Sequence, residues 1–150
     1  MTTPIATCRG VSKVFGTGDL AVHALRDVDL DIQPGDFATL AGPSGSGKTT
    51  LLNMIGALDK PSSGEVTIAG QPLSALGKNE LSDLRLTRIG FVFQAFNLIP
   101  VLSARENIEF VLELQGCPAA ERHRRSLEVL AEVGLEGLAD RRPSAMSGGQ

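Results

Sequence analysis

The segment GPSGSGKT, Gly42–Thr49, constrains this chain more than any other feature of its sequence. It fits the pattern G-x-x-x-x-G-K-[ST] at every position. Glycines in such a loop let successive backbone N–H groups turn inward, where they form a concave site for phosphate oxygens. The apolar run FATLAG precedes the loop, and the stretch KTTLLNMIGAL, which has helical length and spacing, follows it. We therefore predict a buried strand over Phe37–Gly42, then the phosphate-binding loop, then a helix over Lys48–Leu58.

The chemistry of the loop residues points to a nucleoside triphosphate with Mg²⁺. The amino end of the following helix contributes partial positive charge at the loop. Lys48 is expected to reach the outer phosphates with a full positive charge, and the Thr49 hydroxyl is expected to bind Mg²⁺. The predicted loop site consists of Gly42, Pro43, Ser44, Gly45, Ser46, Gly47, Lys48 and Thr49. The motif alone does not specify the base or the use to which the nucleotide is put.

Composition argues against several other function classes. The 150 residues are 42% apolar and 21% charged, which is the composition of a folded domain of ordinary size. A net charge of −3 gives no electrostatic basis for binding nucleic acid. Cys8 and Cys117 are far apart, so they indicate neither a metal knuckle nor a disulfide framework. The amino end does not resemble a secretion signal, and no apolar stretch approaches the roughly 20 residues that cross a bilayer, so we expect another chain to do any membrane spanning.

The first half of the chain is predicted to be rich in strands. Loose alternation indicates a strand over Ile5–Phe15, and stricter alternation indicates one over Val22–Ile32, with Val22, Ala24, Val28, Leu30 and Ile32 on its apolar face. The stretch Pro61–Gly70 is typical of a turn followed by a strand. The short apolar run Ile89–Gln94 is a further predicted buried strand.

Helices dominate the second half. A helix over Asn79–Arg88 is predicted to place Leu81 and Leu84 on one side. Ser103 and Glu106 have the spacing of a capping box, which predicts a helix beginning there. Another helix should begin after Pro118 and carry Leu127, Leu130 and Ala131 on one face, with a Glu121–Arg125 pair on another.

The chain ends on a second glycine-rich element, in the sequence RPSAMSGGQ. Met146–Gln150 resembles the L-S-G-G-Q signature motif of the ATP-binding subunits of ABC transporters, with methionine in place of leucine. The resemblance implies an α/β fold of the ABC ATPase type, with ATP and Mg²⁺ as ligands. It also implies a head-to-tail dimer in which the signature, Ser147, Gly148, Gly149 and Gln150, faces the γ-phosphate held by the other subunit. Ser147 and Gly149 are the expected contacting positions. A helix amino end with exposed hydroxyl and N–H donors is suited to such an anion.

Further positions match the family residue by residue. Gln94 corresponds to the glutamine that reaches the metal and the attacking water, so with Lys48 it is the expected catalytic residue. Phe15 corresponds to the aromatic that stacks on adenine, usually a tyrosine, and Thr50 to a contact of the inner phosphate. The segment Ala95–Ile108 resembles the surface that docks on a transmembrane permease. The stretches LLNMIGALDKPSSGEV and GTGDLAVHAL are similar to the branch that works with lipoprotein-release and macrolide-export permeases.

The resemblance predicts an incomplete ABC ATP-binding domain over residues 1–150. Residues 1–94 are expected to form the ATP-binding core, and residues 95–150 a helical subdomain up to the signature. The family's metal-side Asp, catalytic Glu and switch His are expected beyond Gln150, so we expect this chain by itself to hydrolyse ATP poorly or not at all. Its expected place is cytoplasmic, held on the inner face of the plasma membrane by the permease.

Two alternatives remain open from the sequence. One is a nucleotide binder that does not turn the nucleotide over. The other is a soluble P-loop kinase or GTPase, although neither an arginine-rich lid nor an N-K-x-D motif is visible. The sequence does not identify the transported substrate, the permease, or whether the second ATP-binding subunit is identical to the first.

Overall fold

The structure is a computed structural model that describes residues 3–93 and 97–149. It divides into two compact units, Met1–Ile89 and Gly90–Gln150. The first unit contains an antiparallel four-stranded sheet in the order β2-β1-β3-β4. Its strands are β1 Ala6–Phe15, β2 Val22–Ile32, β3 Ser63–Ile68 and β4 Gln71–Pro72, and its helices are α1 Lys48–Ile55 and α2 Lys78–Arg88.

One apolar core holds the first unit together. Side chains of the sheet pack with α1 and α2, so that Val11, Met54 and Val66 are completely buried. Leu81 and Leu84 of α2 reach the same core, as their spacing predicts. Cys8 is buried among them, and this burial raises the pKa of its thiol. Burial of this kind accounts for most of the stability of a small domain.

The alternation predicted for β2 is wrong in detail. Val22 is 62% exposed, whereas Leu25 is buried in the core. The cause is an irregular register with β1, which shifts between Val11 and Lys13: these residues pair with Val28 and Leu25, so three steps along β2 stand against two along β1 and the two sides of β2 exchange there. Short single turns of 3₁₀ helix lie beside the sheet at Gly18–Leu20 and Leu73–Ala75.

Two predicted strands are not formed. Described residues 37–42 and 89–93 have no regular structure, and Phe37 is 98% exposed. An apolar run becomes a strand only when a neighbouring strand takes up its backbone hydrogen bonds. The four strands of the described sheet pair with one another and with neither of these segments. Helix α1 is also shorter than predicted, since it ends at Ile55 and is followed by Gly56 and the left-handed Ala57.

The second unit contains α3 Ala104–Leu114 and α4 Ala119–Glu132, with 3₁₀ turns at Glu136–Leu138 and Pro143–Ala145. The predicted capping box of α3 is confirmed. The Ser103 N–H donates to the Glu106 carboxylate at 2.8 Å, and the Glu106 N–H donates to the Ser103 hydroxyl at 3.3 Å. On α4, Leu130 is buried, whereas Leu127 and Ala131 of the same predicted face are exposed. Glu121 pairs at 2.7 Å with Arg124, not with the predicted Arg125.

Candidate functional site: the phosphate loop

The conformation of the phosphate loop depends on glycine at one position above all. Gly47 precedes α1 with φ of 90°, a left-handed conformation that disfavours other residues. A Cβ atom there would lie 2.4 Å from the Ala24 carbonyl oxygen of β2. The loop therefore passes directly against β2 before α1 begins. The first intrahelical bond follows at once, from the Leu51 N–H to the Gly47 carbonyl at 2.8 Å.

The Lys48 side chain lies over the loop that precedes it. Its ammonium donates to the carbonyl oxygens of Gly42 at 2.8 Å and Pro43 at 2.7 Å. It also lies 3.4 Å from the Ser46 hydroxyl. These contacts hold a full positive charge at the amino end of a helix, where the backbone already favours an anion.

A cavity of about 280 Å³, which we call the loop cavity, is lined in part by Lys48. The residues that line it come from the loop, the first turn of α1 and one stretch of β2: Ser44, Gly45, Ser46, Gly47, Lys48, Thr49, Thr50, Val22, His23 and Ala24. Gly42 and Pro43 line an adjoining cavity of about 330 Å³ together with Leu40 and Ala41. The loop thus brings all of the residues predicted from its motif to two neighbouring cavities.

Sequence reasoning missed the part that β2 plays. Val22, His23 and Ala24 line the loop cavity, although His23 has no motif around it that suggests chemistry. They reach the cavity because β2 runs past Gly47, and this approach is a tertiary contact. Glycine is needed at Gly47 because Ala24 lies so close to it. The sequence contains that glycine, but it does not show which strand approaches it.

Phe15 is connected to the loop cavity through the pairing of β1 with β2. It is the last residue of β1, is 45% exposed, and pairs in the sheet with Val22, which lines the loop cavity. The Lys13 ammonium lies 5.1 Å from the centroid of its ring. An exposed aromatic ring whose residue pairs in the sheet with a lining residue of the loop cavity has the properties that stacking on a base requires.

The signature segment belongs to the second unit, and its approach is held by α3. The N–H groups of Ala104 and Arg105 donate to the carbonyls of Arg141 and Ala139 at 2.8 and 2.9 Å. The Arg105 guanidinium also lies 3.2 Å from Asp140. Ser147 follows a 3₁₀ turn, and Gly148 and Gly149 form a turn rather than the first turn of a helix.

Some predicted site residues cannot be placed. Gln94 and Gln150 lie outside the described residues, so their assignments remain predictions. The meeting of the signature with the phosphate loop of a second subunit also remains a prediction.

Residues 3–93 and 97–149 form neither a clustered metal site nor a membrane-spanning helix. In that part of the chain, no three His, Cys, Asp or Glu side chains are grouped to hold a metal ion. Across the same residues, no helix combines the length and apolar character needed to span a bilayer. The residues that fit an Mg²⁺ bound together with phosphates are those of the loop, where Thr49, a residue with a hydroxyl group, is one of those that line the cavity.

Comparison with known proteins agrees with this geometry. Residues 25–150 match the ABC transporter family. The chain is 48% identical over 151 residues to the pyoverdine export ATP-binding/permease protein PvdT of Pseudomonas syringae pv. syringae, covering 100% of this chain and 23% of that protein. It is 45% identical over 147 residues to the macrolide export ATP-binding/permease protein MacB of Marinobacter nauticus, covering 98% of this chain and again 23% of the relative.

A solved structure supports the fold. The ATP-binding cassette MJ0796, in a dimeric post-hydrolysis state bound to ADP and Pi, is 44% identical, with a TM-score of 0.89 over 97% of this chain and 64% of the cassette. The α/β fold of the ABC ATPase type is thereby confirmed. The chain belongs to the ABC transporter family, in which it corresponds to part of the ATP-binding domain and is similar to export proteins.

Proposed function

We propose that this chain binds MgATP at Gly42–Thr50, as the nucleotide-binding part of a transporter that uses ATP to export a substrate through a permease. The observation that carries the proposal is the Lys48 ammonium held over the loop at the amino end of α1, beside the loop cavity. Bound phosphate would take the ammonium from the carbonyls of Gly42 and Pro43 and add hydrogen bonds from the loop N–H groups. Export as the direction is supported by the two similar export proteins.

We assign the loop residues as follows. Lys48 would bind the outer phosphates, Thr49 would hold Mg²⁺, and Thr50 would contact the inner phosphate. When bound, Mg²⁺ neutralises part of the charge of the phosphates. Phe15 would stack on the adenine, and Gln94 would approach the metal and the water. The walls of the loop cavity contain no carboxylate among the described residues. Since phosphoryl transfer needs a group that orients the water, we propose that the loop by itself binds ATP but hydrolyses it poorly.

We propose in addition a head-to-tail pair of ATP-binding chains and a membrane permease as partners. The structure of MJ0796 is dimeric, which supports the pair for a relative. In such a pair Ser147 and Gly149 would contact the γ-phosphate held by the partner's loop, and Gly148 and Gln150 would complete the motif. The segment Ala95–Ile108 would contact the permease at the inner face of the membrane.

Titration calorimetry with MgATP tests the binding site. The parent chain should bind, and Lys48→Ala should weaken binding by at least about 100-fold, because a charge-assisted contact to phosphate is lost. Lys78→Ala is the matched control, since Lys78 is an exposed lysine at the start of α2. Unchanged affinity of Lys48→Ala would show that the nucleotide binds elsewhere.

The dimer has its own test. Ser147→Arg should leave the affinity of one chain for MgATP unchanged and prevent any ATP-dependent increase in mass in sedimentation. If Ser147→Arg assembled with ATP as the parent does, the signature would not lie at the phosphate of the partner.

A further inference from the structure

Lys13 connects the ring of Phe15 to the far end of the phosphate-loop helix. Its ammonium lies 2.8 Å from Asp59 Oδ1 and 2.7 Å from Asp59 Oδ2, and it donates to the Lys60 carbonyl at 2.7 Å. The same ammonium lies over the Phe15 ring, 5.1 Å from its centroid. Only 13% of the Lys13 side chain is exposed, although lysine is usually a surface residue.

Asp59 is itself fixed to α1. Its N–H lies 3.3 Å from the Asn53 carbonyl, and the neighbouring Leu58 N–H donates to the same oxygen at 2.9 Å. Helix α1 begins at Lys48, in the phosphate loop. The chain of contacts therefore runs from the Phe15 ring through Lys13 and Asp59 to the helix that carries the loop.

The backbone on both sides of Lys13 is also fixed. The Ser62 N–H donates to the Ser12 carbonyl at 2.8 Å, and the Val14 N–H donates to the Ser62 hydroxyl at 3.1 Å. These bonds hold the end of β1 but leave the ring of Phe15 free to turn about its side-chain bonds. The contact with the Lys13 ammonium restricts that freedom, because a cation is attracted to the face of an aromatic ring.

We propose that Lys13 is a positioning residue for nucleotide recognition. It holds one side of the Phe15 ring and sets the distance between the ring and the phosphate loop, which leaves the other side of the ring for a base. The site should therefore bind a nucleotide, whose base reaches the ring while its phosphates occupy the loop, more tightly than a phosphate chain that has no base. This inference rests on the proposed MgATP site.

The experiment compares MgATP with magnesium tripolyphosphate, which has the phosphates but no base, by titration calorimetry on the whole chain. Lys13→Met removes the charge and keeps the length of the side chain. It should weaken MgATP about fivefold and leave tripolyphosphate within about twofold of the parent, because one cation–ring contact is lost. Lys13→Arg should restore the preference for MgATP, because arginine also pairs with a carboxylate and lies over rings.

Two further variants show whether Lys13 acts through the ring. Phe15→Ala should weaken MgATP selectively, and adding Lys13→Met to Phe15→Ala should have no further effect on MgATP. Lys78→Met, an equal change of charge at the exposed start of α2, should leave both affinities unchanged.

The outcomes separate this inference from the proposed function. If Lys48→Ala leaves both affinities intact, the loop is not the phosphate site and the proposed function fails. If Lys48→Ala lowers both affinities but Lys13→Met behaves like Lys78→Met, the loop assignment stands and the role of Lys13 is overturned. Equal losses of MgATP and tripolyphosphate in Lys13→Met would also overturn it, because a positioning role for the ring requires a loss that depends on the base.

Discussion

The two glycine-rich segments of this chain differ in what holds them in place. The phosphate loop is fixed by its immediate surroundings, since Gly47 lies against Ala24 and Lys48 bonds to the carbonyls that precede it. In the other segment, Gly148 and Gly149 form a turn, and residues Ala139–Arg141 that lead to it are fixed by the first turn of α3, more than 30 residues earlier in the chain. The phosphate loop therefore carries its own geometry, whereas the signature segment depends on a scaffold elsewhere in the chain.

The largest expected effect is at the phosphate loop itself. Gly47→Ala should abolish measurable MgATP binding and lower the melting temperature. The left-handed φ alone costs about 1–2 kcal/mol for a residue with a Cβ atom, and the contact with the Ala24 carbonyl adds to that cost. Calorimetry and thermal unfolding measure the two effects.

Gly35→Ala is the matched control, because Gly35 has a φ of 84° and no atom within 4 Å of an added Cβ. It should show the cost of the backbone conformation without the collision and without a loss of binding. Equal destabilisation of the two variants would mean that the approach of β2 is not what requires glycine at the loop.

An intermediate effect on stability is expected in α3, the helix that holds the approach to the signature segment. The buried Asn107 amide accepts from the Ile99 N–H at 2.8 Å and donates to the carbonyls of Ile99, Leu102 and Ser103. Asn107→Ala should lower the free energy of unfolding by about 2–3 kcal/mol, because it leaves backbone groups unpaired. Urea denaturation measures this change, and Asn79→Ala, on the exposed first turn of α2, should change it little.

The Asn107→Ala variant also tests whether the phosphate loop and the signature segment are independent of each other. Under native conditions Asn107→Ala should bind MgATP with the parent's affinity, because Gly47 and Lys48 are held by contacts with Ala24, Gly42 and Pro43. A folded Asn107→Ala chain with much weaker MgATP binding would contradict the independence of the two segments.

The smallest effect is expected from acid. Burial raises the pKa of Glu109, but hydrogen bonds from Arg105, His123 and Ser126 outweigh it and lower that pKa below its ordinary 4.5. A lowered pKa in the folded state gives stability that is present above pH 4.5 and is lost as the pH falls through the lowered value. Glu109→Gln should therefore cost roughly 0.5 kcal/mol at neutral pH and reduce the dependence of stability on pH in this range.

Unfolding measured across that range checks this prediction, with Glu132→Gln, at the end of α4, as the control. If parent and Glu109→Gln lost stability in parallel below pH 4.5, the hydrogen bonds to Glu109 would not contribute.

Local patterns predicted much of this molecule. The loop motif and the helix after it are in place, and the capping box at Ser103 and Glu106 starts α3 as predicted. In each case the signal lies within a few neighbouring residues, so the sequence contains both partners of the interaction. The family was also accessible, because the loop and the signature are short motifs of fixed spacing.

Features that depend on distant partners were not predictable in the same way. The apolar run Phe37–Gly42 has the composition of a strand but no described strand pairs with it. The register of β2 moved Leu25 into the core and Val22 out of it. Lys13 meets Asp59 across 46 residues, and no local pattern connects the two.

The most direct test of nucleotide binding at Gly42–Thr50 is to follow the backbone amide resonances of the isotope-labelled chain while MgATP is added. We expect the resonances of Gly45–Thr50 to shift until the site is saturated and those of α4 to stay unchanged, and we expect Lys48→Ala to remove the shifts. Saturable binding that leaves the loop resonances unchanged and shifts others instead would contradict the assignment of Gly42–Thr50 as the nucleotide site.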